Sequence, residues 1–155
     1  DCGLVFNATF DSHLVDYAST TEESQHFSGT FNRFAKDLAS EIVAGRDLQS
    51  TLTLEVGCGK GDFLEELVRQ SGTRAIGVDP GFIPERFPGP ISERMRFIRD
   101  YFDPNAIDEA PDMIICRHTL EHIEHVHDFM EDVMAVAGDR HDVEVVFETP
   151  DVARD

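Results

Sequence analysis

The sequence predicts an α/β protein built on a doubly wound, mostly parallel sheet. Three observations carry this expectation. Short apolar runs alternate with helical stretches along most of the chain. The first run, Leu52 to Val56, passes through glycines at alternate positions, Gly57, Gly59 and Gly61, directly into a helical pattern. The chemically distinctive residues fall at the carboxyl ends of the runs, where open parallel sheets hold their ligands. A chain of 155 residues is of single-domain size and long enough to bury a core, and its hydrophobic fraction of 41% is ordinary for a globular protein.

Taken in order, residues 1–26 form a lead-in segment ahead of the domain proper, residues 27–155. Positions 10–28 are polar, without periodicity, and read as a loop able to cover a site; Gln25 and His26 either close over a ligand or simply enter the first helix. Phe27, Phe31, Phe34, Leu38 and Ile42 then recur at helical spacing, which predicts an amphipathic helix with an aromatic stripe facing the core, stopped by Gly45. After the central strand comes a helix carrying Phe63, Leu64, Leu67 and Val68 on one side, and Ser71-Gly72 turns the chain. Arg74 to Asp79 is a second strand ending in an acid. Residues 80–90 hold Pro80, Pro84, Pro88 and Pro90 and cannot form a regular helix. Met95 to Asp100 is a third strand, again ending in an acid, and Asp103-Pro104 breaks the next stretch. Asp112 to Cys116 is the fourth strand and the most buried in character. A helix is predicted from Thr119 to Ala137, on the spacing of Ile123, Val126, Met130, Val133 and Ala137, ended by Gly138. Val143 to Glu148 is the fifth strand, closed by Thr149-Pro150. Crossovers between the strands should be right-handed.

The strand ends narrow the chemistry. A glycine turn followed about 20 residues later by an acid is a nucleoside-binding arrangement, in which Asp79 would accept hydrogen bonds from both ribose hydroxyls. The spacing Gly57-x-Gly59-x-Gly61 brings the third glycine one residue earlier than the dinucleotide fingerprint, and Lys60 lacks the Ser or Thr of a phosphate loop. Glu55 beside the turn would be costly against a pyrophosphate and helpful against a cation. Asp100 offers an acid where an adenine amino group could be read. Three acids around one nucleoside suit a ligand that carries positive charge and no phosphate.

These residues resemble a known family. Glu55-Val56-Gly57-Cys58-Gly59-Lys60-Gly61, then Asp79, Asp100 and the run from Asp112 to His118, look like class I S-adenosylmethionine-dependent methyltransferases, whose fold is Rossmann-like. Cys2-Gly3-Leu4-Val5-Phe6-Asn7, Ser24-Gln25-His26, Leu120-Glu121-His122-Ile123 and Phe147-Glu148-Thr149-Pro150 are similar to bacterial members that carry an N-terminal zinc knuckle and C-methylate nucleotide-linked deoxysugars. The resemblance implies S-adenosylmethionine as cofactor and a small-molecule acceptor. It implies that Gly57, Cys58 and Gly59 contact the amino-acid portion of the cofactor, that Asp79 and the adjoining Pro80 hold the ribose, and that Asp100 with the backbone of Tyr101 holds adenine. Arg117 and His118 would lie under the sulfonium, and Glu121 and His122 would face the acceptor, with His122 as general base. The chain departs from the pattern in two respects. The other knuckle cysteines are missing, and the domain is expected to lack the fold's last strands. O-methylation and non-catalytic nucleoside binding are the alternatives.

His118, Glu121, His122, His125 and His127 crowd one stretch, and His118-Thr119-Leu120-Glu121-His122 fits the spacing of inverzincin metalloproteases. A helix would bring positions 118, 122 and 125 one turn apart, a geometry able to bind a metal. The stretch follows a strand end over the nucleoside site, which is not the protease context. A divalent metal, as in related O-methyltransferases, is the second reading there, and no metal is assigned. His125 and His127 are read as solvated.

A formal net charge of -18 repels phosphate backbones, so no nucleic-acid partner is expected. No apolar run approaches the ~18 residues of a membrane span, and no basic leader opens the sequence. Cys2, Cys58 and Cys116 are odd in number and far apart, which argues against a disulfide framework and for reduced thiols in a cytoplasmic protein. Cys58 and Cys116 read as small packing residues rather than nucleophiles. The sequence is silent on oligomeric state.

Overall fold

The computed structural model describes residues 28–87 and 89–150. The expectations for Cys2 to Asn7, Gln25, His26 and Phe27 lie outside the described residues. Among the described residues, β1 (Leu52–Val56), β2 (Arg74–Val78), β3 (Met95–Ile98), β4 (Met113–Arg117) and β5 (Glu144–Glu148) form one sheet in the order β3-β2-β1-β4-β5. Every pairing is parallel, with Leu54 opposite both Ile76 and Ile114, and Arg117 opposite Glu148. The winding reverses between β1 and β4, so the crevice for a ligand opens at the carboxyl ends of these two strands. This is the α/β, Rossmann-like arrangement expected.

Alternation along the strands divides the core into two faces. On one, Leu52, Leu54, Val56, Ile76, Val78, Ile114 and Cys116 pack under Phe129, Val133 and Val136 of α3 (Val126–Ala137). On the other, Met113 and Ile115 meet Ala35, Ala39 and Ile42 of α1 (Gly29–Val43) and Phe63 and Leu67 of α2 (Asp62–Ser71). Leu64 and Val68 of α2 continue that face with Ala75, Phe82, Phe87 and Met95. Burial of each such large apolar side chain contributes roughly 1.5–3 kcal/mol, enough in sum to seat three helices on both faces of the sheet.

Two expectations are corrected. The core face of α1 is Ala35, Ala39 and Ile42, whereas Phe34 is 48% exposed and Phe31 half-buried. The alanines let α1 lie close against α2, and the aromatic stripe turns toward the rim of the sheet. The helix predicted from Thr119 begins instead at Val126, preceded by a 3-10 turn at Leu120–His122. His118 adopts φ 49 and Ile123 is extended, with φ -88 and ψ 118, so the backbone cannot run helically between them. Ile123 still packs on the core, but from outside the helix. Between β2 and β3 the proline-rich stretch holds a 3-10 turn at Pro84–Arg86 and no α-helix. No helix among the described residues is long and apolar enough to cross a membrane.

Candidate functional site

The turn after β1 is stitched to its neighbour strand. Gly57 N and Cys58 N both donate to Val78 O, at 2.8 and 3.2 Å. Gly57, Gly59 and Gly61 all have positive φ, where a side chain is strained. Their surroundings differ. A Cβ on Gly57 would stand 1.9 Å from Thr119 Oγ1, and one on Gly61 would stand 2.7 Å from the Phe97 ring. A Cβ on Gly59 would meet nothing within 4 Å. Gly59 is therefore the bare face of the turn, where a ligand can approach backbone.

The acid at the end of β2 closes onto that face. Asp79 is 8% exposed; its Oδ2 accepts from Gly59 N at 2.8 Å and its Oδ1 from Gly81 N at 2.7 Å. Each carboxylate oxygen retains a second lone pair for a hydroxyl donor. Pro80, half-buried, directly follows. The acid at the end of β3 is placed differently. Asp100 is exposed, its Oδ1 accepting from Tyr101 N at 2.8 Å, and Tyr101 is 60% exposed. The structure thus brings Asp79 and the glycine turn into contact, while Asp100 and Tyr101 stand at the solvent edge one strand further out.

Glu55 is 2% exposed, and burial pushes its carboxyl up to about 8, against the pull of Arg117. It shares a sheet face with Arg117, because both occupy odd positions on neighbouring parallel strands. Arg117, 7% exposed, lays its guanidinium 3.9 Å above the centre of the Phe63 ring and donates from Nε to Glu148 Oε2 at 2.5 Å. Glu55 Oε2 and Arg117 Nη2 are buried without a hydrogen-bond partner. Two orphaned polar atoms of opposite polarity, on one face beneath a bare glycine turn, are what a ligand with both an ammonium and a carboxylate would satisfy.

His118 follows Arg117 in the left-handed region, uncommon outside glycine. Its N–H donates to Glu148 O at 2.9 Å, and its ring lies 6.5 Å from that of Phe31. Glu121 and His122 are exposed on the 3-10 turn. His122 therefore lies outside α3, predicted from Thr119 but formed from Val126, and the helix that would set His118, His122 and His125 one turn apart is not formed. Burial pushes the Cys116 thiol up to about 12 and the Cys58 thiol well above its ordinary value, so both stay protonated as packing groups. Sequence reasoning assigned no role to Glu148 or Thr119. Glu148 ends β5 in the sequence, but its place beside the arginine that ends β4 follows only from the register of the two strands.

An open parallel sheet whose bare glycine turn is hydrogen-bonded to the acid after the next strand is the arrangement of a nucleoside-binding α/β domain. The family profile described as a methyltransferase domain matches residues 27–155, and the chain belongs to that family, the class I S-adenosylmethionine-dependent methyltransferases. It is 25% identical over 119 residues to an uncharacterized methyltransferase of Alkaliphilus oremlandii, a match covering 76% of this chain and 55% of that protein. The chain thus spans about half the length of this relative. Among solved structures, a protein assigned as an S-adenosyl-L-methionine-dependent methyltransferase from Methanococcus maripaludis superposes with a TM-score of 0.56 at 15% identity, covering 70% of this chain and 52% of that one. The plantazolicin methyltransferase BpumL, solved with a triazolic desmethylPZN analog and SAH, superposes at 0.53 with 18% identity, covering 74% and 46%. S-adenosylmethionine is the cofactor of this domain, and the residues present fit it: the open turn at Gly59, the unused lone pairs of Asp79 and the orphaned atoms of Glu55 and Arg117 match its groups.

Proposed function

We propose that the domain transfers a methyl group from S-adenosylmethionine to a small-molecule nucleophile, and that the acceptor is a carbon of a nucleotide-linked sugar or a similar metabolite. The contact between Gly59 N and Asp79 Oδ2 carries the cofactor half of this reading, because it sets an acid on the one face of the turn that neighbouring side chains leave open. The backbone of Gly57, Cys58 and Gly59 takes the amino-acid portion. Asp79 and Pro80 take the ribose, and Asp100 with the Tyr101 amide takes adenine. Arg117 and His118 lie toward the reacting end, and Glu121 and His122 face the acceptor.

When bound, the cofactor supplies an electrophilic methyl group on a sulfonium. The chain contributes orientation, exclusion of water and a place for a proton. Glu121 and His122 stand beside His118 on a turn open to solvent, which suits an acceptor entering from outside. The BpumL structure, which pairs SAH with a small-molecule analog, supports an acceptor of that size. The sugar assignment rests on the likeness of Leu120-Glu121-His122-Ile123 and Phe147-Glu148-Thr149-Pro150 to the sugar C-methyltransferases.

The test is incubation with methyl-labelled S-adenosylmethionine and a panel of nucleotide-linked deoxysugars, read by carbon NMR. The expected product carries the label on a ring carbon. Label on oxygen, or on none of the sugars, contradicts the acceptor assignment.

A further inference from the structure

We infer that Glu148 is a positioning residue that fixes the ring orientation and tautomer of His118, leaving Nδ1 as the proton-accepting atom on the acceptor side. The inference rests on the methyl-transfer reading and moves the role of base from His122 to His118. It stands on four observations.

First, Glu148 is itself held. Its Oε2 accepts from Arg117 Nε at 2.5 Å, and Arg117 is pinned on the Phe63 ring. One carboxylate oxygen is thereby committed, and Oε1 is left for another partner.

Second, that partner is His118. Its Nε2 is buried and lies 3.0 Å from Glu148 Oε1, in a contact that does not yet have hydrogen-bond geometry. The separation is already that of a hydrogen bond, and only the angle of approach falls short.

Third, the backbone is committed to the placement. The His118 N–H donates to Glu148 O, and His118 holds φ 49 at the strand end. For a non-glycine residue this is a strained conformation of a kind that gathers at functional sites.

Fourth, the two ring nitrogens face different groups. Nδ1 lies 3.8 Å from Glu121 Oε1, beyond hydrogen-bond reach, on a side chain that is 37% exposed. The nearer carboxylate, at Nε2, is the half-buried one fixed by Arg117, so it decides where the ring's single proton sits.

The groups facing His118 are thus Glu148 from β5, Glu121 from the 3-10 turn and the Phe31 ring from α1, with Arg117 of β4 on the other oxygen of Glu148. In the step this arrangement serves, the proton on the acceptor's nucleophilic atom passes to Nδ1, and the electron pair of that bond stays on the acceptor. The imidazolium formed then faces the Glu148 carboxylate through Nε2–H. This is the logic of a base oriented by a third group.

The test is long-range proton–nitrogen correlation NMR of the nitrogen-15-labelled protein in mildly alkaline buffer, with the His118 signals assigned by comparison with a His118→Gln variant. The expected result is a protonated Nε2 and an unprotonated Nδ1, with Glu148→Gln converting this single tautomer to a mixture. A proton on Nδ1 in the wild-type protein overturns the proposal, and this measurement needs no variant of Glu148 to fold. A tautomer unchanged in Glu148→Gln also overturns it. Neither outcome depends on bound cofactor, so failure here is distinguishable from failure of the methyltransferase reading, which cofactor titration tests separately.

Discussion

The backbone amide of Gly59 donates to Asp79 Oδ2 at 2.8 Å, joining the turn after β1 to the acid after β2. This one bond defines the ligand-facing edge of the sheet. It aims the carboxylate along the bare side of the turn, and it fixes the turn at the only one of its three glycines that nothing crowds. A side chain without an acceptor at position 79 would lose both functions at once.

Asp79→Ala should therefore weaken S-adenosylhomocysteine binding by about 10- to 100-fold, the loss expected when hydrogen bonds to a charged acceptor worth about 1.5–3 kcal/mol are removed. Isothermal titration calorimetry measures this. An unchanged affinity would mean that Asp79 does not hold the ribose.

Gly57 and Gly59 should respond differently to alanine. Gly57→Ala forces a Cβ into Thr119 at a positive φ and should cost about 2–5 kcal/mol, read as a large fall in Tm. Gly59→Ala meets open space and should cost about 1–2 kcal/mol in backbone strain. Its larger effect should be on cofactor affinity, because the methyl would occupy the face left open to the ligand. Equal losses of stability in the two variants would contradict the crowding at Gly57.

Glu55 gives a pH signature. Burial raises its folded pKa from 4.5 to about 8. Between these values the unfolded chain has lost the proton and the folded chain keeps it, so the folded state binds more protons. The contribution of this group to stability therefore falls as pH rises through that window, by up to about 1.4 kcal/mol per pH unit. Below the window the group is neutral in both states and contributes nothing. Glu55→Gln removes the dependence. Its Tm, relative to wild type, should be similar near the acid end of the window and higher above its alkaline end, as measured by calorimetric scans across pH. A difference that does not change with pH would contradict a neutral buried Glu55.

Glu148→Ala should be strongly destabilising, by about 3–5 kcal/mol, because it leaves the Arg117 guanidinium buried without its carboxylate. Replacing Arg117 by Leu in the same chain should recover part of that loss. Denaturant unfolding of the two variants checks this, and a double variant no more stable than the single one would mean that uncompensated charge is not the cause.

The strands were legible because parallel strands buried on both faces are near-continuous apolar runs, as in Met113–Cys116, and because each ends where a turn residue or an acid begins. Asp79 was legible from its distance to the glycine turn. Three features were not. The packed face of α1 rests on Ala35 and Ala39, whose small side chains give a weaker hydrophobic signal than Phe34 beside them. The late start of α3 follows from the left-handed His118, which no periodicity encodes. The Arg117–Glu148 pair depends on the register of β4 against β5, set by tertiary packing between residues 31 positions apart.

The most direct test of the central claim is a calorimetric titration of the chain with S-adenosylmethionine, S-adenosylhomocysteine and NAD. The glycine turn, Asp79 and the buried Glu55 predict saturable binding of the first two in the micromolar range and none of NAD, whose Gly-x-Gly-x-x-Gly fingerprint this turn lacks. Binding of NAD in preference to the two sulfur nucleosides, or binding of neither of them, would contradict the account.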